Sequence, residues 1–476
     1  MSTSPAPLRF VGGLAGALAP IAVFLVGVAW LGLSGAPDER GFWPILLAAL
    51  AVGVLLARDR TRYSDAALRG MSQPIVLTMI MAWLLAGVLG SLVSASGFVQ
   101  ALSQVASVVG VRGGLFAVSA FAITSVVATA TGTSLGTLIL CSPLLYPAGV
   151  LLDADPAVLI GAILGGATFG DNISPVSDTT IASASTQGAD IGGVVRSRLR
   201  YALPAAAVAA VAYGVLGSAS ATEIAARASE LARAVPETSA ALFAPLTMAV
   251  GPVVVIVMLL RRRHLIESLL LGIVTTIVLG VLIKTIQPGA LLYIDHDAFL
   301  ARGLILDGME RAVGISVFTI LLMGLVAGVE ESGAVDRLLV RMTATEVSLA
   351  GAEWRIFGAV SAAVLLTTHS VVALLAAGPL AKATGQQVGL SAYRRANLMD
   401  LTVCTYPFLL PFFIPTILAA STTGSAGGVS LPRVSAFEAG LFNAHSWALF
   451  VVLIVAIATG WGRGTDAGVS GDDPPV

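Results

Sequence analysis

The sequence predicts an all-α polytopic membrane protein: about fourteen transmembrane helices in two inverted repeats, with broken helices at the midplane. Three observations predict it. Hydrophobic residues make up 57% of the chain and charged residues only 11%, with a mean hydropathy of +0.92, far more apolar than a soluble globular composition. Apolar windows long enough to cross hydrocarbon recur along its whole length. The two halves also share polar and proline positions at one fixed offset.

The windows fall at about 10–33, 42–57, 74–93, 113–130, 132–152, 157–187, 201–218, 241–260, 265–285, 313–329, 352–368, 370–385, 396–420 and 441–461. The first is too long for a signal-peptide core and is followed by many others, so it is expected to be retained. Lys and Arg concentrate in cytoplasmic segments of membrane proteins. With an inside N-terminus, 18 of the 26 basic residues lie on the inner side, among them Arg58, Arg60, Arg62, Arg69, Arg196, Arg198, Arg200, Arg394 and Arg395. The expectation is a multi-pass protein of the cell (cytoplasmic) membrane with both termini in the cytoplasm.

The net charge of −1, with no basic cluster interleaved with aromatics, excludes nucleic acid as a partner. Cys141 and Cys404 stand far apart in apolar segments, so neither a disulfide framework nor a zinc site is expected, and both read as buried thiols. No Walker-type phosphate loop occurs, and no cofactor is expected.

At an offset of 236 residues, Ser96-Gly97 matches Ser332-Gly333, Thr131 matches Thr367, Ser134 matches Ser370 and Pro143 matches Pro379. After a shorter connection in the second half, Asp171 finds Asp400. A cut near 219–240 leaves seven windows on each side, and an odd number makes the second copy enter the membrane upside down. Inverted repeats with the site between them are a common construction of secondary transporters. The expected organisation is a first repeat at 1–218, an amphipathic linker on the outer surface at 219–240, a second repeat at 241–463 and a disordered cytoplasmic tail at 464–476.

The run 165–184 places two aspartates, an asparagine, several hydroxyls and a proline within an apolar stretch. A charge at membrane depth is costly and marks a functional position by default. A helix broken at Gly170 and Pro175 frees backbone carbonyls beside Asp171, which together make a small-cation site. Burial disfavours a bare carboxylate and a bound cation favours it, so cation and proton compete for Asp171, and competition coupled to alternating access suffices for antiport. Asp178 is either a second ligand and proton carrier or the cap of the following half-helix. Asn172, Ser174, Ser177 and Thr179 supply neutral oxygens suited to a hard monovalent cation.

Thr131-Gly-Thr-Ser134 is either an unwound turn whose Thr133 and Ser134 face Asp171 or a small-residue packing seam. In the second half, Asp400 and Thr402 form the counterpart pair, and Asp171, Asp178 and Asp400 are the carboxylates expected to hold a transient Na⁺. His369 is either a proton relay or a hydrogen-bonded structural histidine. Glu330 and Glu331 read as a solvated helix end or a cytoplasmic antechamber.

The runs Gly-Asp-Asn-Ile-Ser-Pro-Val-Ser-Asp-Thr-Thr at 170–180 and Thr-Gly-Thr-Ser at 131–134 resemble signatures of the NhaC-type sodium/proton antiporter family. The resemblance implies a bacterial inverted-repeat ion transporter that exchanges cytoplasmic Na⁺ for external H⁺, with relatives that move organic acids or amino acids. It assigns Asp171, Ser174 and Asp178 to the polar helix break, Thr133 and Ser134 to the hydroxyl turn and Asp400 to an acidic position in the second half. Leu401, Val403 and the apolar run 407–415 depart from that pattern and make the second half less polar.

Two transport readings follow: Na⁺/H⁺ exchange, and Na⁺-coupled movement of a small organic acid or amino acid. An intramembrane aspartyl protease is disfavoured, since 168–171 reads Thr-Phe-Gly-Asp and not Gly-x-Gly-Asp, so the chain is not expected to be an enzyme. The expected partners are Na⁺, H⁺, the lipid bilayer and, on the second reading, an organic solute. The sequence leaves open whether copies form a homo-oligomer.

Overall fold

A computed structural model of the chain describes residues 7–34, 39–219, 243–296, 299–341, 348–426 and 429–464. The expected linker and tail fall outside the described residues but for Ala219 and Gly464. In the first half the helices are α1 (Leu14–Leu33), α2 (Phe42–Leu56), α3 (Arg60–Met71), α4 (Pro74–Ala95), α5 (Phe98–Val109), α6 (Gly113–Thr131), α7 (Ser134–Leu151), α8 (Pro156–Ile173), α9 (Asp178–Gln187) and α10 (Ile191–Leu216). In the second half they are α11 (Val250–Leu260), α12 (Leu265–Leu282), α13 (Leu304–Glu310), α14 (Val313–Glu331), α15 (Ala334–Arg341), α16 (Leu349–Thr367), α17 (Ser370–Gln387), α18 (Ala392–Val403), α19 (Ile414–Ser421), α20 (Ala436–Leu441) and α21 (Ala444–Thr459).

Two four-residue helices, Phe243–Leu246 and Pro288–Leu291, and two short antiparallel ribbons, Tyr293–Asp295 with Leu300–Arg302 and Ser425–Ala426 with Val429–Ser430, accompany these helices, and the protein is in class all-α and polytopic. Among the described residues, nine helical segments are long and apolar enough to cross a membrane, and three further apolar helices are shorter. The windows at 370–385 and 396–420 hold α17, which is less apolar, and the broken pair α18 and α19. The helix of the window at 201–218 is longer than its apolar run. It begins at Ile191, because Asp190 caps it by accepting from the Gly193 amide at 2.7 Å, and the three arginines expected in a loop lie within α10.

Local chemistry sets the other boundaries around the site. Asp155 caps α8 by accepting from the Val158 amide at 2.9 Å, with Pro156 at the first helical position, where a missing N–H leaves no bond unmade. Ser391 caps α18 in the same way through the Arg394 amide. The positions matched in sequence occupy matching places in the elements. Ser96 and Ser332 follow α4 and α14, Thr131 and Thr367 end α6 and α16, Ser134 and Ser370 begin α7 and α17, and Pro143 and Pro379 lie inside those helices.

The core of the first half is the packing of α6 on α8. Gly166 and Gly170, one turn apart, let the backbones meet: a Cβ on Gly166 would lie 2.3 Å from the Phe121 carbonyl oxygen, and one on Gly170 2.2 Å from that of Ser125. Without a hydrophobic driving force between helices in lipid, such small-residue seams carry the association. Gly170→Val forces α8 off α6 and is expected to destabilise the protein by about 1–3 kcal/mol. Unfolding in detergent followed by tryptophan fluorescence measures the loss, and a variant as stable as the wild type would refute the seam.

Candidate functional site

The site is built where α8 stops. Proline at 175 lacks an amide and pushes residue 174 out of the helical region, so 174–177 is unwound between α8 and α9. The Ser174 hydroxyl donates to the Thr129 carbonyl at 2.7 Å and accepts from the Val176 amide at 3.3 Å, which ties the break to α6. Gly132 approaches from the other side with φ +69°, and a Cβ there would lie 2.8 Å from the Val176 carbonyl oxygen. Glycine is required on both counts. Thr133 then caps α7 through the Gly136 amide at 3.2 Å. The hydroxyl turn and the break thus pack directly on each other.

Beside them lies a cavity of about 230 Å³ lined by Ser134, Asp171, Asp178, Thr179 and His369, with Pro407, Phe408 and Ile414 as apolar wall. Asp171, in the last turn of α8, is 5% exposed, and its Oδ1 has no hydrogen-bond partner. The hydroxyls of Ser134 and Ser177 flank it. Asp178 opens α9 and is exposed to the cavity, while the Ser177 and Thr179 hydroxyls pair with each other at 3.0 Å. His369 precedes α17, faces Asp178 and leaves Nδ1 without a hydrogen bond. Beside it, Thr368 adopts φ +52°, a left-handed conformation that costs a β-branched residue energy, at the place Gly132 holds in the first half.

Asp400 is not part of that cavity wall. It forms an ion pair with Arg198, both side chains fully buried, and its Oδ2 accepts from Thr180. The same guanidinium donates to the Asn172 carbonyl at 2.6 Å, to Thr180 Oγ1 at 2.8 Å and, through Nε, to Asn397 Oδ1 at 3.1 Å. Its charge thus sits at the carbonyl end of α8, where the helix dipole favours a cation. Thr402 does not reach the cavity either: its hydroxyl donates to the Leu398 carbonyl of its own helix. Asn172 donates to Cys404 Sγ and leaves its Oδ1 without a hydrogen bond. Among the described residues no three His, Cys, Asp or Glu side chains converge as a metal cluster. The three aspartates expected together divide into two that face the cavity and one neutralised behind it.

Sequence reasoning missed Arg198 by counting it with its exposed neighbours. The signal was present: Val194, Arg198, Tyr201 and Ala205 follow one another at helical spacing and are all buried, while Arg196 and Arg200 face outward. Glu331, read as a solvated helix end, pairs with Arg69 at 2.6 Å.

Two further chambers adjoin the cavity through shared wall residues. One, of about 420 Å³, is lined by Glu330, Asp336 and Gln73 and shares Ile75 and His369 with it. The other, of about 50 Å³, is lined by Arg311 and Thr422 and shares Trp83 and Ile139. Along α4 the order is Ile75, then Trp83, then Gly87 and Gly90, so one helix walls all three chambers in series.

Fold and site define a polytopic α-helical membrane protein with broken helices around a buried carboxylate. Comparison with known proteins agrees with the sequence signatures: residues 14–218 match the Na⁺/H⁺ antiporter family. Over 245 residues the chain is 26% identical to the Na⁺/H⁺ antiporter NhaC of Alkalihalophilus pseudofirmus, covering 48% of this chain and 51% of that one. It is 35% identical over 103 residues to the malate-2H⁺/Na⁺-lactate antiporter of Bacillus subtilis, 22% of each chain. It is also 35% identical over 100 residues to an uncharacterised Na⁺/H⁺ antiporter of Haemophilus influenzae, 21% of each. The matched stretches span about half of the first relative and about a fifth of the other two.

Removing one partner of a buried ion pair leaves an uncompensated charge. Arg198→Met is expected to lower the unfolding free energy by about 3–5 kcal/mol, and Arg198→Met with Asp400→Leu to recover the part that comes from the unpaired carboxylate, while the Asn172 carbonyl and Asn397 stay without their donor. Denaturation in detergent measures both, and a double variant no better than the single one would contradict the pairing.

Proposed function

We propose that the protein is a secondary active transporter that exchanges cytoplasmic Na⁺ for external H⁺ at Asp171, with Asp178 as the second carboxylate of the site. The observation that carries this reading is the Asp171 carboxylate, buried in a helix break, with an oxygen that no protein donor satisfies and with hydroxyls of Ser134 and Ser177 beside it. Such an oxygen suits a cargo that arrives and leaves: Na⁺ in one half of the cycle, a proton in the other. Thr133, Ser134, Ser174 and Asn172 supply oxygens or hold the break in shape. Asp400 acts through its pairing with Arg198, which fixes the carbonyl end of α8, and Thr402 supports its own helix. His369 carries protons between Asp178 and the chamber of Glu330 and Asp336, which forms the cytoplasmic mouth. The two halves rock against each other as inverted repeats, with both termini in the cytoplasm; the matched helix ends and prolines support this arrangement.

A second reading, Na⁺-coupled movement of a small organic acid, is favoured by the apolar wall of the cavity at Pro407, Phe408 and Ile414 and by the likeness to the malate/lactate antiporter.

Proton release from everted vesicles on addition of NaCl separates the two. Prompt Na⁺-dependent release is expected from the wild type, and none from Asp171→Asn, whose amide neither ionises nor titrates. Release retained by Asp171→Asn would refute the role of Asp171. Silence of the wild type until an organic acid is supplied would establish the second reading.

His369→Gln keeps a polar side chain but cannot carry a proton. It is expected to slow exchange by about a hundredfold, at the low end of what a positioned acid–base group contributes, and to leave Na⁺ binding at equilibrium unchanged. Unchanged exchange, or a loss of Na⁺ affinity as large as the loss of exchange rate, would remove the relay.

A further inference from the structure

The chamber at the end of α4 away from Glu330 holds a charge that the cation reading does not use. Arg311 lies between α13 and α14, half-buried. Among the described residues it makes no hydrogen bond or ion pair: Asp307, one turn earlier, acts on it only through space, beyond ion-pair distance. An arginine is always charged and presents a planar fork of donors, and an unpaired one out of bulk water is costly. Placed in a chamber that adjoins the site, a free guanidinium repels Na⁺ and attracts an anion.

We infer that this chamber binds the carboxylate of a small organic acid, with Arg311 as its anchor. The chamber sets the size: about 50 Å³ accommodates roughly four water-sized groups, a carboxylate and a short stem. Its walls set the character of the stem, since Trp83, Ala86, Gly90, Ile139 and Leu418 are apolar. Two hydroxyls set the substituent. Ser421 donates to the Leu418 carbonyl at 2.8 Å and Thr422 to that of Ala419 at 2.6 Å, so each has its proton engaged and offers only lone pairs. A ligand meeting them must donate. The ligand class is a short hydroxy-monocarboxylate, its carboxylate on the Arg311 fork and its hydroxyl on Ser421 or Thr422. Arg311 and Glu330 lie near opposite ends of α14, about 28 Å apart along the helix, so this site and the Glu330 chamber flank the Asp171 cavity from its two ends. The inference rests on the second transport reading, for which it supplies the site of the organic solute.

The test is equilibrium binding to the full chain in detergent, by isothermal titration at fixed Na⁺ with lactate, propionate and inorganic phosphate. Lactate is expected to bind more tightly than propionate. Arg311→Gln should weaken it about tenfold or more, as for loss of a hydrogen bond to a charged group, and Arg311→Lys by less. No lactate binding by the wild type, or equal binding by Arg311→Gln, overturns the inference. So does a preference for phosphate, which would assign the guanidinium to a lipid headgroup. Should Arg311→Gln not fold, Thr422→Val and Ser421→Ala together must bring lactate to the affinity of propionate, and an unchanged ratio overturns it. Binding is read here without transport, so this site and the exchange at Asp171 stand or fall separately.

Discussion

The pairing of Arg198 with Asp400 is the constraint on which the rest of the structure depends. It joins α10 of the first half to α18 of the second, both side chains out of contact with solvent, and the same guanidinium holds the last-turn Asn172 carbonyl of α8 and the Thr180 hydroxyl of α9. A helix broken at membrane depth leaves carbonyls and amides without partners, which is tolerated only where other groups satisfy them. Arg198 does this on one side of the break, and the Ser174 bond to Thr129 does it on the other. The segment 174–177 is thereby unwound yet held at both edges.

One consequence is electrostatic. Asp400 is paired with Arg198 away from the cavity, and the carboxylates on the cavity wall are Asp171 and Asp178. A second buried cluster, Glu353 between Arg394 and Arg463 at 2.8 and 2.7 Å, joins α16, α18 and the segment after α21 without touching the cavity. The fully buried ion pairs therefore hold helices together, while Asp171 and Asp178 face the cavity.

Much of this was legible in the sequence. The apolar windows, the helix break at Pro175 and the turn at Gly132 follow from local rules: length of apolar run, the missing amide of proline, the left-handed tolerance of glycine. The offset of 236 residues located matching helix ends in the second half. What was not legible depends on contacts between residues 200 apart. Arg198 and Arg394 looked like cytoplasmic markers because a positive charge near a window end has that meaning on average, and only the burial of one helix face turns it inward. Asp400 matched Asp171 in sequence, but its partner decides its state, and that partner lies in another helix. Thr402 carries the right hydroxyl on the wrong face.

The course of α4 along all three chambers also has a mechanical meaning. It touches α13 backbone to backbone where a Cβ on Gly87 would lie 2.0 Å from the Gly308 carbonyl oxygen, and this contact lies beyond the central cavity, toward the Arg311 end. Gly87 lies past the middle of α4, with its longer arm toward Pro74 and its shorter arm toward Ala95, and a rigid rod resting on such a point moves little there and farthest at the end of the longer arm. Any tilt of α4 about that glycine fulcrum leaves the Arg311 compartment close to its present size and displaces Ile75, three turns away, most of all, so the rod is geared toward the side of Glu330.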